Sequence, residues 1–191
     1  MKYIFTVDIG GTKIKYGVID FSGKLIYKNK MPSNGPLGGK FILDDIVDTF
    51  NSLSLKYPFL GVSVSSGGVI NSNTGEVLSA TGSIKDYIGM NIITYLNERL
   101  NVPISALNDV NAMALCESSY GSGKNFKSMI ALTIGTGIGG AILINGELIE
   151  GGAFSAGEFG LMQIESNIYE EVAATSSLVR EAKKKIPTIK N

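Results

Sequence analysis

The chain has 191 residues, 44% hydrophobic and 18% charged, which suits one domain, or a small domain with part of another, and excludes a disordered chain. Seventeen basic side chains balance seventeen acidic ones, so nothing in the charge points to nucleic acid or an anionic membrane. With no histidine and one cysteine, Cys116, there is no His-dependent triad, no Cys/His zinc site and no internal disulfide; the cytoplasm is the expected compartment, and any catalytic base is Asp, Glu, Lys or Tyr.

Met1 to Phe5 enters a strand without a signal-peptide core, and no apolar run approaches a membrane span. Strands are expected over Tyr3 to Val7, Ile14 to Ile19 and Lys24 to Asn29, joined by turns at Asp8–Lys13 and Asp20–Gly23. Met31 to Gly39 reads as a loop and Phe41 to Ser52 as a helix, with Ile42, Ile46, Val47 and Phe50 at helical spacing. Phe59 to Ser65 is a strand broken by Ser66-Gly67-Gly68, and Asn71 to Gly75 is a turn. Met90 to Leu100 reads as an amphipathic helix, Pro103 to Leu107 as a strand, and a helix runs from Asp109 to Gly121.

The pattern then repeats. Met129 to Thr133, Gly140 to Ile144 and Glu147 to Glu150 are strands, and Met129 falls 125 residues after Ile4. A glycine-rich loop, Gly151 to Gly160, precedes a helix over Tyr169 to Lys185, acidic at its start and basic at its end. The first copy continues with a strand, a helix, a strand and a helix, and the second has none of these. Its strands are expected to show an open edge and an uncovered face, so the chain reads as cut short or completed by a partner.

Four segments could carry chemistry. In Asp8-Ile9-Gly10-Gly11-Thr12-Lys13 a strand ends in a carboxylate, two glycines, a hydroxyl and an ammonium. The glycines let backbone N–H groups approach an anion, Thr12 and Lys13 suit phosphate oxygens, and Asp8 suits Mg²⁺, directly or through water. The same residues also read as a plain glycine hairpin. Thr133 to Gly140 is a second Gly/Thr turn; two such hairpins brought together would clamp a polyphosphate. Its Gly135, Gly137 and Gly140 match a dinucleotide fingerprint, but that fingerprint must open a helix, and here a strand follows. In Leu107-Asn108-Asp109-Val110-Asn111, Asp109 suits a general base at a helix start and Asn108 a substrate ligand, with helix capping the simpler reading of the residues alone. Glu158, framed by glycines, suits bidentate bonding to vicinal hydroxyls or a solvated loop.

Together these segments, in this order and across the chain, resemble the ROK family of sugar kinases and sugar-responsive repressors. The resemblance implies an α/β, actin-like ATPase fold, a duplicated ribonuclease H-like architecture whose second domain is incomplete, divided into residues 1–120 and 121–191. It implies that Asp8, Gly10, Gly11, Thr12 and Lys13 form the first phosphate segment and Gly135, Thr136 and Gly137 the second. Asp109 matches the catalytic base, and together with Gly68, Asn108, Glu158 and Glu171 it matches the sugar site. ATP and Mg²⁺ are the implied cofactors, a hexose or hexose-containing sugar the substrate, its 6-hydroxyl the acceptor, and a homodimer the assembly. Leu161 stands where many members have a zinc-binding His, Gly67 where they often have Pro, and no cysteine occurs between Met162 and Glu171. Zinc is therefore not expected, and the chain is similar to the zinc-free glucokinases and β-glucoside kinases. The family continues past Asn191 through its adenine-binding segment, so the nucleoside pocket is expected to be absent. A helix-turn-helix is not seen before the first strand, which disfavours DNA binding. The alternative reading is a non-catalytic sugar-binding or interaction module from a truncated ROK protein; an actin-like ATPase without sugar is disfavoured by Asn108, Asp109 and Glu158.

Overall fold

In β1 (Tyr3–Ile9) burial follows the two-residue period of a pleated strand. Phe5, Val7 and Ile9 are 0%, 4% and 1% exposed, while Thr6 and Asp8 lie on the other face. The structure, a computed structural model, describes residues 2–186. β2 (Lys13–Asp20) and β3 (Leu25–Pro32) complete an antiparallel meander in which Asp8 stands opposite Lys15, and Lys15 opposite Lys30. β3 runs further than the sequence predicts, to Pro32, because Met31 and Pro32 still pair with Ile14 and Lys13.

α1 (Gly39–Ser54) buries Ile42, Leu43, Ile46 and Phe50 on one face, against the apolar side of the meander. Each such side chain contributes about 1.5–3 kcal/mol of burial. β4 (Phe59–Ser66) then pairs in parallel with β1. A small hairpin, β5 (Val69–Ile70) and β6 (Val77–Ser79), follows; its two- and three-residue strands are too short for periodicity to reveal. α2 (Ile92–Asn97) is shorter than the expected Met90–Leu100, because the Asn91 side chain accepts from Thr94 N and caps the helix there. β7 (Ile104–Asn108) pairs in parallel with β4, and α3 (Asp109–Tyr120) starts directly after it. The sheet order is β3-β2-β1-β4-β7. Because β1, β4 and β7 are parallel, their C-terminal ends share one edge of the sheet. Asp8 aligns with Ser65 there, and Ser66 with Asn108.

The chain divides into two compact units, one ending at Ala112 and the next beginning at Met113, inside α3. In the second, β8 (Met129–Ile134), β9 (Ile138–Ile144) and β10 (Glu147–Leu148) form an antiparallel sheet in the order β10-β9-β8. The 125-residue offset holds from β1 to β8. It drops to 124 from β2 to β9, because the second turn has one residue fewer: Ile9 pairs with Ile14, but Ile134 with Ile138. Among the described residues β8 pairs only with β9. Ile130, Leu132 and Ile134 are 65%, 49% and 65% exposed, whereas Phe5, Val7 and Ile9, their counterparts, are buried. This is the open edge and uncovered face that the sequence predicts.

A 3₁₀ turn (Phe159–Leu161) and a second small hairpin, β11 (Gln163–Ile164) and β12 (Asn167–Ile168), follow. The single helix expected over Tyr169 to Lys185 is two, α4 (Tyr169–Ala173) and α5 (Thr175–Lys185). Ala174 is extended between them, and this frees Thr175 N to bond Gly135 O at 2.9 Å instead of continuing one helical ladder. Among the described residues no helix is long and apolar enough to cross a membrane.

Candidate active site

At the C-terminal edge of the first sheet, Asp8 uses both carboxylate oxygens. Oδ1 accepts from the Ser65 hydroxyl at 3.1 Å, and Oδ2 from the Lys15 ammonium at 2.9 Å. The following turn is closed by Gly10 N donating to Lys13 O at 3.1 Å. A Cβ on Gly10 would stand 2.9 Å from that carbonyl, and one on Gly11 2.7 Å from Ser83 Oγ, so both positions need glycine. Ser33 holds the turn from outside, its hydroxyl on Gly11 O at 2.7 Å and its N–H on Thr12 O at 3.1 Å. Gly11, Thr12 and Lys13 are left exposed, as an anion-binding turn requires.

Beside it, Ser66 and Tyr87 are fully buried and share a 2.8 Å hydrogen bond. Burial pushes the Tyr87 phenol up to about 12, partly offset by Ser66. The pair anchors the Ser66-Gly67-Gly68 segment from below. Gly68 has φ +103, and a Cβ there would collide with Ser79 O.

Asn108 is 8% exposed and spends its full hydrogen-bonding capacity inside the protein. Its Oδ1 accepts from Val110 N at 2.9 Å and Asn111 N at 3.0 Å, capping α3. Its Nδ2 donates to Gly68 O at 2.9 Å and Asp109 Oδ1 at 3.1 Å. Asn108 therefore ties the glycine segment to the start of α3 and orients Asp109. The Asp109 side chain can be reached from solvent, and its Oδ2 faces the side of Gly67, where a Cβ would stand 3.8 Å away. Burial pushes the Asp109 carboxyl above its ordinary value, and the charge of Asp8 adds to this. The N–H of Val110 and the amide of Asn108 work against it. A carboxylate raised in this way is a better proton acceptor.

In the second unit the turn Gly135-Thr136-Gly137 is closed by Gly135 N donating to Gly137 O at 2.9 Å. α5 supports it, with Ser176 Oγ donating to Thr136 O at 2.6 Å. Gly135 and Thr136 are exposed. Glu158 stands before the 3₁₀ turn, fixed by Gly157, whose φ of +94 brings it against Gly140 O. Of the two acids that open α4, Glu170 is the one turned inward. Its Oε2 accepts from Ile138 N at 3.3 Å, and Cβ atoms on Gly137 and Gly160 would stand 2.6 and 3.2 Å from it. Glu171 is exposed, and its backbone carbonyl accepts from Ser177 Oγ at 2.7 Å.

The structure thus groups Asp8, Gly10 to Lys13, Gly68, Asn108 and Asp109 in the first unit, and Gly135 to Gly137 with Glu158 in the second. Sequence reasoning misses Lys15, Ser65 and Glu170. Lys15 shows only a strand's alternation after Lys13, and its partner depends on the length of the turn. Among the described residues no three His, Cys, Asp or Glu side chains gather to hold a metal. One carboxylate with neighbouring hydroxyls fits Mg²⁺, which keeps several waters and arrives on phosphate oxygens.

The model of the ROK family matches residues 4–184. A β-glucoside kinase of Listeria monocytogenes is 36% identical over 83% of this chain and 52% of its own length. A glucokinase of Streptomyces coelicolor is 30% identical over 94% of this chain and 58% of its own. The crystal structure of a ROK family glucokinase from Streptomyces griseus, in complex with glucose and AMPPNP, superposes with a TM-score of 0.84 at 27% identity. It covers 97% of this chain and 62% of that one. The chain spans a little over half the length of the curated relatives it matches.

Proposed function

Because the chain belongs to the ROK family and has its actin-like ATPase fold, we propose that it serves a cytoplasmic, homodimeric carbohydrate kinase that phosphorylates a hexose or hexose-containing sugar with ATP, at the 6-hydroxyl. Asp109 takes the proton of the attacking hydroxyl. The sugar oxygen forms a bond to the γ-phosphorus, the bond from that phosphorus to the bridging oxygen breaks, and ADP leaves. Asn108 reaches the sugar by giving up its 3.1 Å donation to Asp109, the longer of its two donor contacts. Gly68 backs the sugar, and Glu158 binds its hydroxyls. Glu170 fills the role that the resemblance gives to Glu171, since its carboxylate is the one turned toward Ile138. Gly10 to Lys13 and Gly135 to Gly137 present N–H groups, hydroxyls and an ammonium to phosphate oxygens. Mg²⁺, held by Asp8 through water, would neutralise charge on the transferred phosphoryl group.

The observation that carries this reading is the Asn108–Asp109 corner, which aims a base of raised pKa beside a glycine segment pinned from below. Asp109→Asn keeps the Oδ1 acceptor for Val110 N and removes the base. Release of ADP from glucose and MgATP should fall by about 10²–10⁴-fold, while calorimetry finds glucose affinity unchanged. The wild-type rate should fall as pH drops through the Asp109 pKa, which lies higher than that of a free Asp. Full turnover in Asp109→Asn removes the base from the mechanism. Glucose binding without MgATP binding or turnover would favour a sugar-binding module.

A further inference from the structure

Lys15 stands opposite Asp8 because the register of the first hairpin puts them there, on one face of the sheet. Two features make the contact exchangeable. The side chains are 73% and 37% exposed, and an exposed ion pair is held weakly. The pair also borders a cavity of about 590 Å³, whose lining includes Lys28 and Lys30 and, of all acids, only Asp8. Asp109, the other acid whose charge reaches Lys15, does not line that cavity.

We propose that Lys15 is a phosphate-contacting residue held in reserve: it neutralises Asp8 while no phosphate is present, and passes to phosphate oxygens of the donor when Mg²⁺ takes up Asp8. The proposal rests on the phosphoryl-transfer reading above. Mg²⁺ and the ammonium compete for the charge of one carboxylate, whose Oδ2 holds Lys15 and whose Oδ1 holds Ser65. An ammonium released onto phosphate keeps a charge-assisted hydrogen bond and loses only a solvent-screened one. Four flexible carbons let it move without moving the sheet.

The test uses the chain itself and two probes that need no adenine pocket. Magnesium tripolyphosphate is titrated by calorimetry, and Mg²⁺ alone by the Asp8 carboxyl ¹³C resonance, which reads millimolar binding. Lys15→Met should weaken magnesium tripolyphosphate by about tenfold, the loss of one charge-assisted bond. The same variant should bind Mg²⁺ alone more tightly, because the competitor is gone. Lys15→Arg should keep tripolyphosphate affinity within about threefold. Both probes weakened together would mean that Lys15 merely holds Asp8 in place, and both unchanged would mean an idle surface pair; either result overturns the proposal alone. If the wild type takes up neither probe, the phosphate site itself falls and the proposal with it. Circular dichroism checks that the exposed substitution leaves the fold intact.

Discussion

Replacing Asn108 with alanine is the sharpest probe of how the site is held. Four hydrogen bonds end on that amide, two at the start of α3 and one each at Gly68 O and Asp109 Oδ1. Losing the cap costs about 1 kcal/mol. Leaving Gly68 O without its donor at a largely enclosed position costs about another 1–2 kcal/mol. The sum, about 2–3 kcal/mol, corresponds to a fall in the melting midpoint of roughly 8–15 °C for a unit of this size. Six of the eight tyrosines precede Ala112 and there is no tryptophan, so near-ultraviolet circular dichroism reports mainly on the first unit. Asn108→Asp separates the two ends of the side chain. It keeps the acceptor for Val110 and Asn111, loses both donors and sets a second carboxylate beside Asp109. Two such acids hold a proton more tightly in the folded than in the unfolded chain. The deficit of Asn108→Asp should therefore be largest at neutral pH and shrink as pH falls, while that of Asn108→Ala stays. A loss below about 0.5 kcal/mol for Asn108→Ala, or an Asn108→Asp deficit indifferent to pH, would refute this account of the amide.

Gly68→Ala places a Cβ against Ser79 O and within 3.1–3.2 Å of Ala80 at a positive φ, and should destabilise the first unit by about 2–4 kcal/mol in urea titrations. Glu170→Gln should weaken glucose binding by about tenfold or more, the loss of a charge-assisted bond to a hydroxyl, while Glu171→Gln should change it less than about twofold. Calorimetry on the two variants checks this, and the reverse order would return the role to Glu171.

Alternation of apolar residues makes the meander and α1 legible in the sequence, because burial on one face sets the period directly. Phe5, Val7 and Ile9, and Ile42, Ile46 and Phe50, could hardly be placed otherwise. Contacts set by tertiary structure were not legible. The break at Ala174 goes with a bond from Thr175 N to Gly135 O, 40 residues away in sequence, and nothing local at Ala174 forbids a continuous helix. Adjacent Glu170 and Glu171 are equivalent on paper, and only the packing of Gly137 and Gly160 selects the first. At Asn108 the sequence offers capping and ligand binding as rivals. In the structure the amide caps α3 with its oxygen and holds Gly68 O and the Asp109 carboxylate with its nitrogen, so the capping demand is met and the nitrogen is spent on neighbours.

The internal repeat separates what the fold needs from what the chemistry needs. Both hairpins close on a pair of isoleucines, Ile9 with Ile14 and Ile134 with Ile138, so that feature belongs to the architecture. The next pair outward is Asp8 with Lys15 in the first copy and Thr133 with Gly139 in the second. Two strands of the same kind, in the same cross-strand position, therefore pair without any charge. The ion pair is not required to form the hairpin, and being exposed it adds at most about 1 kcal/mol to stability. Its presence in one copy only, at the C-terminal edge that also carries Asn108 and Asp109, is what a division of labour between two phosphate turns would produce. On the proposed phosphoryl-transfer reading, one turn would bring the charges that handle metal and donor, and the other backbone N–H groups and a threonine.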